Sequence, residues 1–274
     1  MPPHDLLMLV RNVREDGPVI AAAKMLQDRD DAYVCGLLAT RAEAKIPEWS
    51  VAADGAFFAN PMREITARAP ESLRLKRRTE GFSRPCEIVQ MEIVDGLAAD
   101  WVGVEARNRS LTIMLRPAGA ADENVRRAIF ESVLFESGKP VLLIPPKWRN
   151  ASLGKRILIA WDGSRTAARA VSDAERFLAQ AEQVSLFTVE CGTNDASGQS
   201  AAKHLRRMGL QCQQRCERGY RGDIDAIILR EAEAVGADLI VMGGYGHARF
   251  QEMLFGGVTR SLVRTSPVPL FLSR

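Results

Sequence analysis

Short apolar runs at 157–161, 184–189 and 239–242 alternate with stretches whose apolar residues return every three or four positions. No other feature of the chain constrains its fold as much. Runs this short and continuous suit strands covered on both faces, which is the condition of a parallel sheet. After the first run, Ala167, Ala170, Val171, Ala174, Phe177 and Leu178 predict one apolar stripe along a helix. Ile224, Ile227, Ile228, Ala232 and Val235 repeat the pattern, with Arg230, Glu231 and Glu233 on the opposite face. A weaker strand over 210–216 follows a helical stretch over 201–208, and an apolar run at 268–272 closes the chain. Strand and helix in strict alternation build a parallel sheet with right-handed crossovers.

The first half fits the same plan. Its apolar runs lie at 6–10, 33–38, 86–93, 111–115 and 141–144, although Pro47, Pro61 and Pro70 interrupt the region between the second and third. Pro145 and Pro146 end the fifth run, and polar linker residues follow. The chain therefore reads as two flavodoxin-like domains, 1–150 and 151–274. Each is a five-stranded, mostly parallel sheet of order 3-2-1-4-5 with helices on both faces. In that order the last strand is an edge, and an exposed apolar edge invites aggregation. The runs at 141–144 and 268–272 are expected to cover each other across a pseudo-twofold axis, so that the chain carries its own dimer interface. A homodimer of whole chains is a further arrangement the reading leaves open.

Composition serves mainly to exclude. The hydrophobic fraction of 46% and charged fraction of 26% are those of a globular protein. A net charge of +3 is too balanced to argue for nucleic acid or a membrane surface. The basic cluster at 74–78 has no interleaved aromatic residues and reads as a solvated helix face. No apolar run reaches the roughly 18 residues that span a bilayer, and the N-terminus lacks the order of a signal peptide. A soluble, cytoplasmic protein is the expectation. Five cysteines suggest no disulfide scaffold. Cys212 and Cys216 would share a strand face about 13 Å apart, too far for one metal ion.

Ligands of open parallel sheets bind beyond the carboxyl ends of the strands, where strand order reverses. In the second half this points to the residues after its first and fourth strands. After the first come Asp162, Gly163 and Ser164. As helix caps alone they contain one candidate more than is needed. After the fourth come Gly243, Gly244 and Gly246, then His247, then Gly256 and Gly257 at the start of a short helix over 258–264. Glycines let main chain approach a ligand, and a helix start offers free N–H groups and the positive end of a dipole. Two such clusters can grip one anionic chain from opposite sides. In the first half no carboxylate directly follows the first strand, where Arg11 and Asn12 stand, and Pro117 removes an N–H donor after the fourth.

Gly243-x2-Gly246-x9-Gly256, with Asp162-Gly163-Ser164, resembles the glycine signature and first-strand motif of the ATP-binding universal stress proteins. The first half resembles the same fold with the motif lost, so the whole looks like a tandem form. The resemblance implies a stress-response protein that binds an adenine nucleotide, ATP or AMP, with or without magnesium, as a switch. It assigns the ribose or base to Asp162, base contacts to Val189 and Met242, and phosphate to Gly243, Gly246 and Gly256, with Ala160 beside them in the expected site. Ser164, His247, Gly257, Val258 and Thr259 complete the expected site. One departure stands out. The family places a Ser or Thr hydroxyl where this chain has Gly257, a loss of roughly 1.5–3 kcal/mol unless Thr259 replaces it.

Two alternatives remain beside nucleotide binding. One is slow hydrolysis, since His247 could act on a phosphate. Yet no nucleophile, base and orienting acid can be assembled from the spacing, and the Gly-x4-Gly-Lys-Ser/Thr and Gly-x-Gly-x2-Gly loops are absent. The other is a ligand-free scaffold, with the first half as the structural partner of the second.

Overall fold

The structure is a computed structural model that describes residues 4–41, 70–93, 98–117, 122–149, 151–191, 198–220, 222–245 and 257–274. The strands are β1 (Asp5–Val10), β2 (Tyr33–Arg41), β3 (Glu87–Ile93), β4 (Leu111–Leu115), β5 (Val141–Ile144), β6 (Arg156–Ala160), β7 (Gln183–Glu190), β8 (Cys212–Arg218), β9 (Leu239–Gly243) and β10 (Leu270–Ser273). The helices are α1 (Gly17–Asp30), α2 (Pro70–Thr79), α3 (Ala98–Ala106), α4 (Glu123–Glu136), α5 (Arg165–Asp173), α6 (Glu175–Ala179), α7 (Gln199–Arg207), α8 (Ile224–Ala234) and α9 (Gly257–Thr265).

All ten strands join one sheet of order β3-β2-β1-β4-β5-β10-β9-β6-β7-β8. Each half contributes five parallel strands in the 3-2-1-4-5 order of the flavodoxin-like fold. At the centre β5 and β10 run antiparallel, with Leu143 opposite Leu270, Leu142 opposite Phe271 and Val141 opposite Leu272.

Strand alternation sorts the core into two layers. Leu6, Met8, Val10, Ile157, Ile159 and Phe271 face one layer, which α1, α2, α5, α6 and α7 cover through residues such as Val19, Leu75, Ala170, Phe177 and Leu205. Leu7, Leu9, Leu158, Ile240, Leu270 and Leu272 face the other, under α3, α4, α8 and α9. Both layers run unbroken across the β5–β10 junction.

Two details differ from the sequence reading. The stripe from Ala167 to Leu178 is not one helix: it breaks at Ala174 into α5 and α6, which lets Phe177 turn onto Phe271 with ring centroids 5.6 Å apart. The stretch after Pro145 and Pro146 is not a loose polar linker. Trp148 and Leu153 are buried in the first layer, and the Asp238 carboxylate accepts the N–H groups of Gly154, Lys155 and Arg156 at 3.0, 3.2 and 3.0 Å. The segment at 74–78 lies on α2, with Leu75 buried and Arg74, Lys76, Arg77 and Arg78 exposed.

Near this junction lies half-buried His4. Burial, followed by the positive charge of Arg176, holds its imidazole below the ordinary value of 6.5, with Asp30 pulling it upward and Arg29 lowering it further. Below pH 6.5 the unfolded chain takes up this proton more readily than the folded one, so stability falls as pH drops through that range. His4→Gln is expected to flatten the fall, as measured by thermal unfolding at pH 5, 6, 7 and 8.

Candidate functional site

The candidate site of the second half forms where β6, β7 and β9 end together. Ala160 lies beside Met242 on one side and Phe187 on the other, and the Trp161 N–H donates to the Phe187 carbonyl at 2.8 Å. Val189 stands two residues further along β7. Ala160, Val189, Met242 and Val258 all pack in the α8–α9 layer, because Ala160 shares the parity of Leu158, Val189 that of Phe187 and Met242 that of Ile240. These four apolar residues of the expected site form a floor. Gly219, which the sequence did not single out, closes one side: a Cβ there would lie 2.9 Å from Val189 and 2.4 Å from Ile227.

Helices that follow parallel strands start at the carboxyl edge, so α5 after β6 and α9 after β9 both begin at this crevice. Asp162 is exposed, and its carboxylate accepts the Ser164 N–H at 2.9 Å. Gly163 has φ of 75°, the left-handed backbone that this tight turn requires. Ser164 is the N-cap of α5: its hydroxyl accepts the Ala167 N–H at 3.1 Å and lies 3.0 Å from the Thr166 hydroxyl. The two capping candidates thus divide the work, Asp162 closing the turn and Ser164 starting the helix.

Gly243 is required by packing. A Cβ there would fall 2.6 Å from both the Ala167 nitrogen and the Thr166 hydroxyl, so glycine lets β9 and the start of α5 touch. Gly244 donates to the Ser273 carbonyl at 2.7 Å, and its space is closed by Leu134 of the first half. Tyr245 adopts a φ of 53° and packs its ring on Phe135 of α4, 5.1 Å between centroids. Burial, with the nearby Glu131 charge, pushes its hydroxyl up to about 12, so it stays protonated at neutral pH. Gly257 opens α9, one residue earlier than the sequence suggested, and a Cβ there meets nothing within 4 Å among the described residues. Thr259 is buried in the first turn. Gly246, His247 and Gly256 lie outside the described residues.

The corresponding crevice of the first half is filled by its own side chains. Arg11, just after β1, donates from Nε to Asp122 at 2.5 Å and from Nη1 to the Ala39 carbonyl of β2 at 3.3 Å. Arg126 of α4 reaches Asp122 at 2.7 Å and Asp16 at 2.7 Å. Asp16 also accepts the N–H groups of Arg11 and Asn12 at 2.6 and 3.0 Å. Asp16 is 0% and Arg126 2% exposed. Burial alone would raise the Asp122 carboxyl, but hydrogen bonds from Arg11 and Arg126 hold it below its usual value. No spacing rule would have joined Asp16 to Arg126 across 110 residues; only the i,i+4 pair of Asp122 and Arg126 was legible.

Among the described residues no group of three His, Cys, Asp or Glu could hold a metal ion, and no helix is long and apolar enough to cross a membrane. Burial pushes the thiols of Cys35 and Cys86 up to about 12 and about 11, so neither is a ready nucleophile.

An open sheet in this strand order, with two helix starts and an apolar floor at its point of reversal, defines the flavodoxin-like class of α/β proteins. The profile of the universal stress protein family matches residues 154–274, so this part of the chain is similar to that family. A universal stress protein of Synechocystis is 24% identical over 156 residues, 54% of this chain and 51% of that one. The chain thus matches about half the length of this relative. The solved structure of a universal stress protein from Archaeoglobus fulgidus superposes with a TM-score of 0.74 at 19% identity, covering 100% of this chain and 99% of that one. A structure from Pseudomonas aeruginosa gives 0.59 at 15% identity, covering 99% and 93%. At these identities the likeness establishes the fold, and it does so over the whole chain.

Proposed function

We propose that the second half binds an adenine nucleotide, ATP or AMP, beyond the ends of β6 and β9, as the switch of a cytoplasmic stress-response protein. The observation that carries this reading is one crevice that combines an apolar floor with two helix starts. Ala160, Val189, Met242 and Val258 offer the purine a surface, while the N–H groups at the head of α9 offer the phosphates theirs. Asp162 stands at the rim for the ribose. Gly246, His247 and Gly256 belong to the proposed site by sequence resemblance.

Tyr245 lies just beyond β9, packed in the same layer as the floor. Because Tyr245 is stacked on Phe135, occupancy there has a route to α4 and so to the first half. We assign 1–150 and 151–274 as the two units, the first a structural partner joined through β5 and β10. That pairing uses both inner edges, so a homodimer of whole chains would need another surface.

Calorimetric titration of the full chain with ATP and AMP, with and without magnesium, tests the proposal. Asp162→Ala is expected to weaken binding about tenfold, the worth of one charge-assisted hydrogen bond. Asp162→Asn, which keeps the turn, separates loss of charge from loss of shape. Gly257→Ser, whose Cβ would meet nothing within 4 Å among the described residues, is expected to tighten ATP about tenfold. No heat from either nucleotide at millimolar concentration, in wild type and Gly257→Ser alike, would leave the scaffold reading in its place.

A further inference from the structure

A helix of 9 residues is too short to hold its place on propensity alone, so α9 depends on what packs against it. Thr259, Leu262 and Val263 form its buried face. From α8, the Asp225 carboxylate accepts the Ser261 hydroxyl at mid-helix. The last turn is met from the other half of the chain. Arg116, the residue after β4, donates from Nη1 to the carbonyl of Arg264. That sets a cation on the free carbonyls at the negative end of the helix dipole, where positive charge is favoured.

The place of this contact is built into the sheet. The Arg116 N–H donates to the Ile144 carbonyl of β5 at 2.9 Å, and the Gly244 N–H donates to the Ser273 carbonyl of β10 at 2.7 Å. The two residues hold matching positions, each just after the fourth strand of its half. At each of them the tail of the other half's helix arrives: Leu134 of α4 against Gly244, and Arg264 of α9 against Arg116. The two meetings differ in chemistry. Gly244 receives a hydrocarbon side chain. Arg116 is half-buried, and its Nε is buried without a hydrogen-bond partner among the described residues. Burial holds the guanidinium below its ordinary value, with the Glu123 charge pulling it upward. A partly desolvated cation with an idle donor opposes folding, and an apolar residue would serve packing better. What the charge supplies is a bond to the end of α9. We propose that Arg116 is a positioning residue of the nucleotide site: it anchors the tail of α9 from the first half and so steadies the N–H groups at the helix's head that receive phosphate. This rests on the nucleotide reading above and extends it, because the first half then helps to set affinity as well as covering β10. Arg116 lies at the far end of the helix from the phosphates and acts only through it.

The full chain carrying Arg116→Ala is compared with wild type in two ways. Hydrogen exchange of the α9 amides, read without nucleotide, is expected to quicken severalfold while that of β6 and β9 stays unchanged. Calorimetric titration is expected to show ATP weakened about fivefold and adenosine, which has no phosphate, bound as before. Arg116→Lys returns a cation to the helix end and should recover most of both effects. Arg116→Gln, a neutral donor, should recover less. Unaltered exchange in α9 would overturn the proposal. So would equal weakening of ATP and adenosine, the mark of a general loosening of the fold, or an Arg116→Lys variant as impaired as Arg116→Ala. If wild type binds neither ATP nor adenosine, the nucleotide reading fails, and exchange alone decides the anchor: faster in Arg116→Ala upholds it, and unchanged overturns it.

Discussion

Arg126→Met is expected to destabilise the protein by about 3–5 kcal/mol, the cost of leaving a buried charge without its partner. Arg126 is 2% exposed and holds Asp16, which is wholly buried, and Asp122. Without the guanidinium, Asp16 keeps only the N–H groups of Arg11 and Asn12, and its carboxylate sits in a low-dielectric interior. The shift would appear as a lower midpoint in urea unfolding at pH 7. Asp16→Leu combined with Arg126→Met should recover much of the loss, because two well-packed apolar side chains can replace a buried pair. The cluster also carries a pH signature. The Asp122 carboxyl is held below its usual value of 3.8 in the folded protein, so its contribution is present above that pH and lost as pH falls through the lower, folded value. A double variant as unstable as the single one would show that packing around the cluster, rather than the unpaired charge, sets the loss.

Phe271→Ala is the second large effect, again about 3–5 kcal/mol, from lost apolar contact and the cavity left behind. Phe271 is 1% exposed, lies opposite Leu142 in the β5–β10 junction, and meets the edge of Phe177. Arg29 of the first half lies over the Phe177 ring, 4.7 Å from its centroid, and donates to the Leu153 carbonyl at 3.0 Å. Loss of the ring therefore loosens contacts from both halves at once. Thermal unfolding should show a lower midpoint, and light scattering should show earlier aggregation as β5 and β10 separate and expose apolar edges. A variant within 1 kcal/mol of wild type would mean that neighbouring side chains refill the space.

The architecture was legible in the sequence because doubly covered strands leave continuous apolar runs. The runs at 111–115 and 141–144 coincide with β4 and β5. Strand ends were less so. β8 runs to Arg218 through Gln213, Gln214 and Arg215, a half-exposed edge strand with little apolar signal. The break at Ala174 was invisible, since Ala174 fits the helical stripe and the break follows from how Phe177 must meet Phe271. In the candidate site, the apolar floor could be anticipated from position after the strands. The reason for Gly243 could not: its contact is with Thr166 and Ala167, which only the folded chain brings near. The Arg11–Asp122–Arg126–Asp16 cluster was hidden for the same reason, because its members come from two segments, with Asp16 and Arg126 separated by 110 residues.

The antiparallel meeting of β5 and β10 has a geometric consequence. Parallel strands within each half all end on the same side, but reversing direction at the centre sends the two sets of strand ends to opposite rims of the sheet. The mouth sealed by arginines and the candidate crevice of the second half therefore point away from each other. A ligand at the candidate crevice would meet one such place per chain, and anything resting on the sealed mouth would not compete with it.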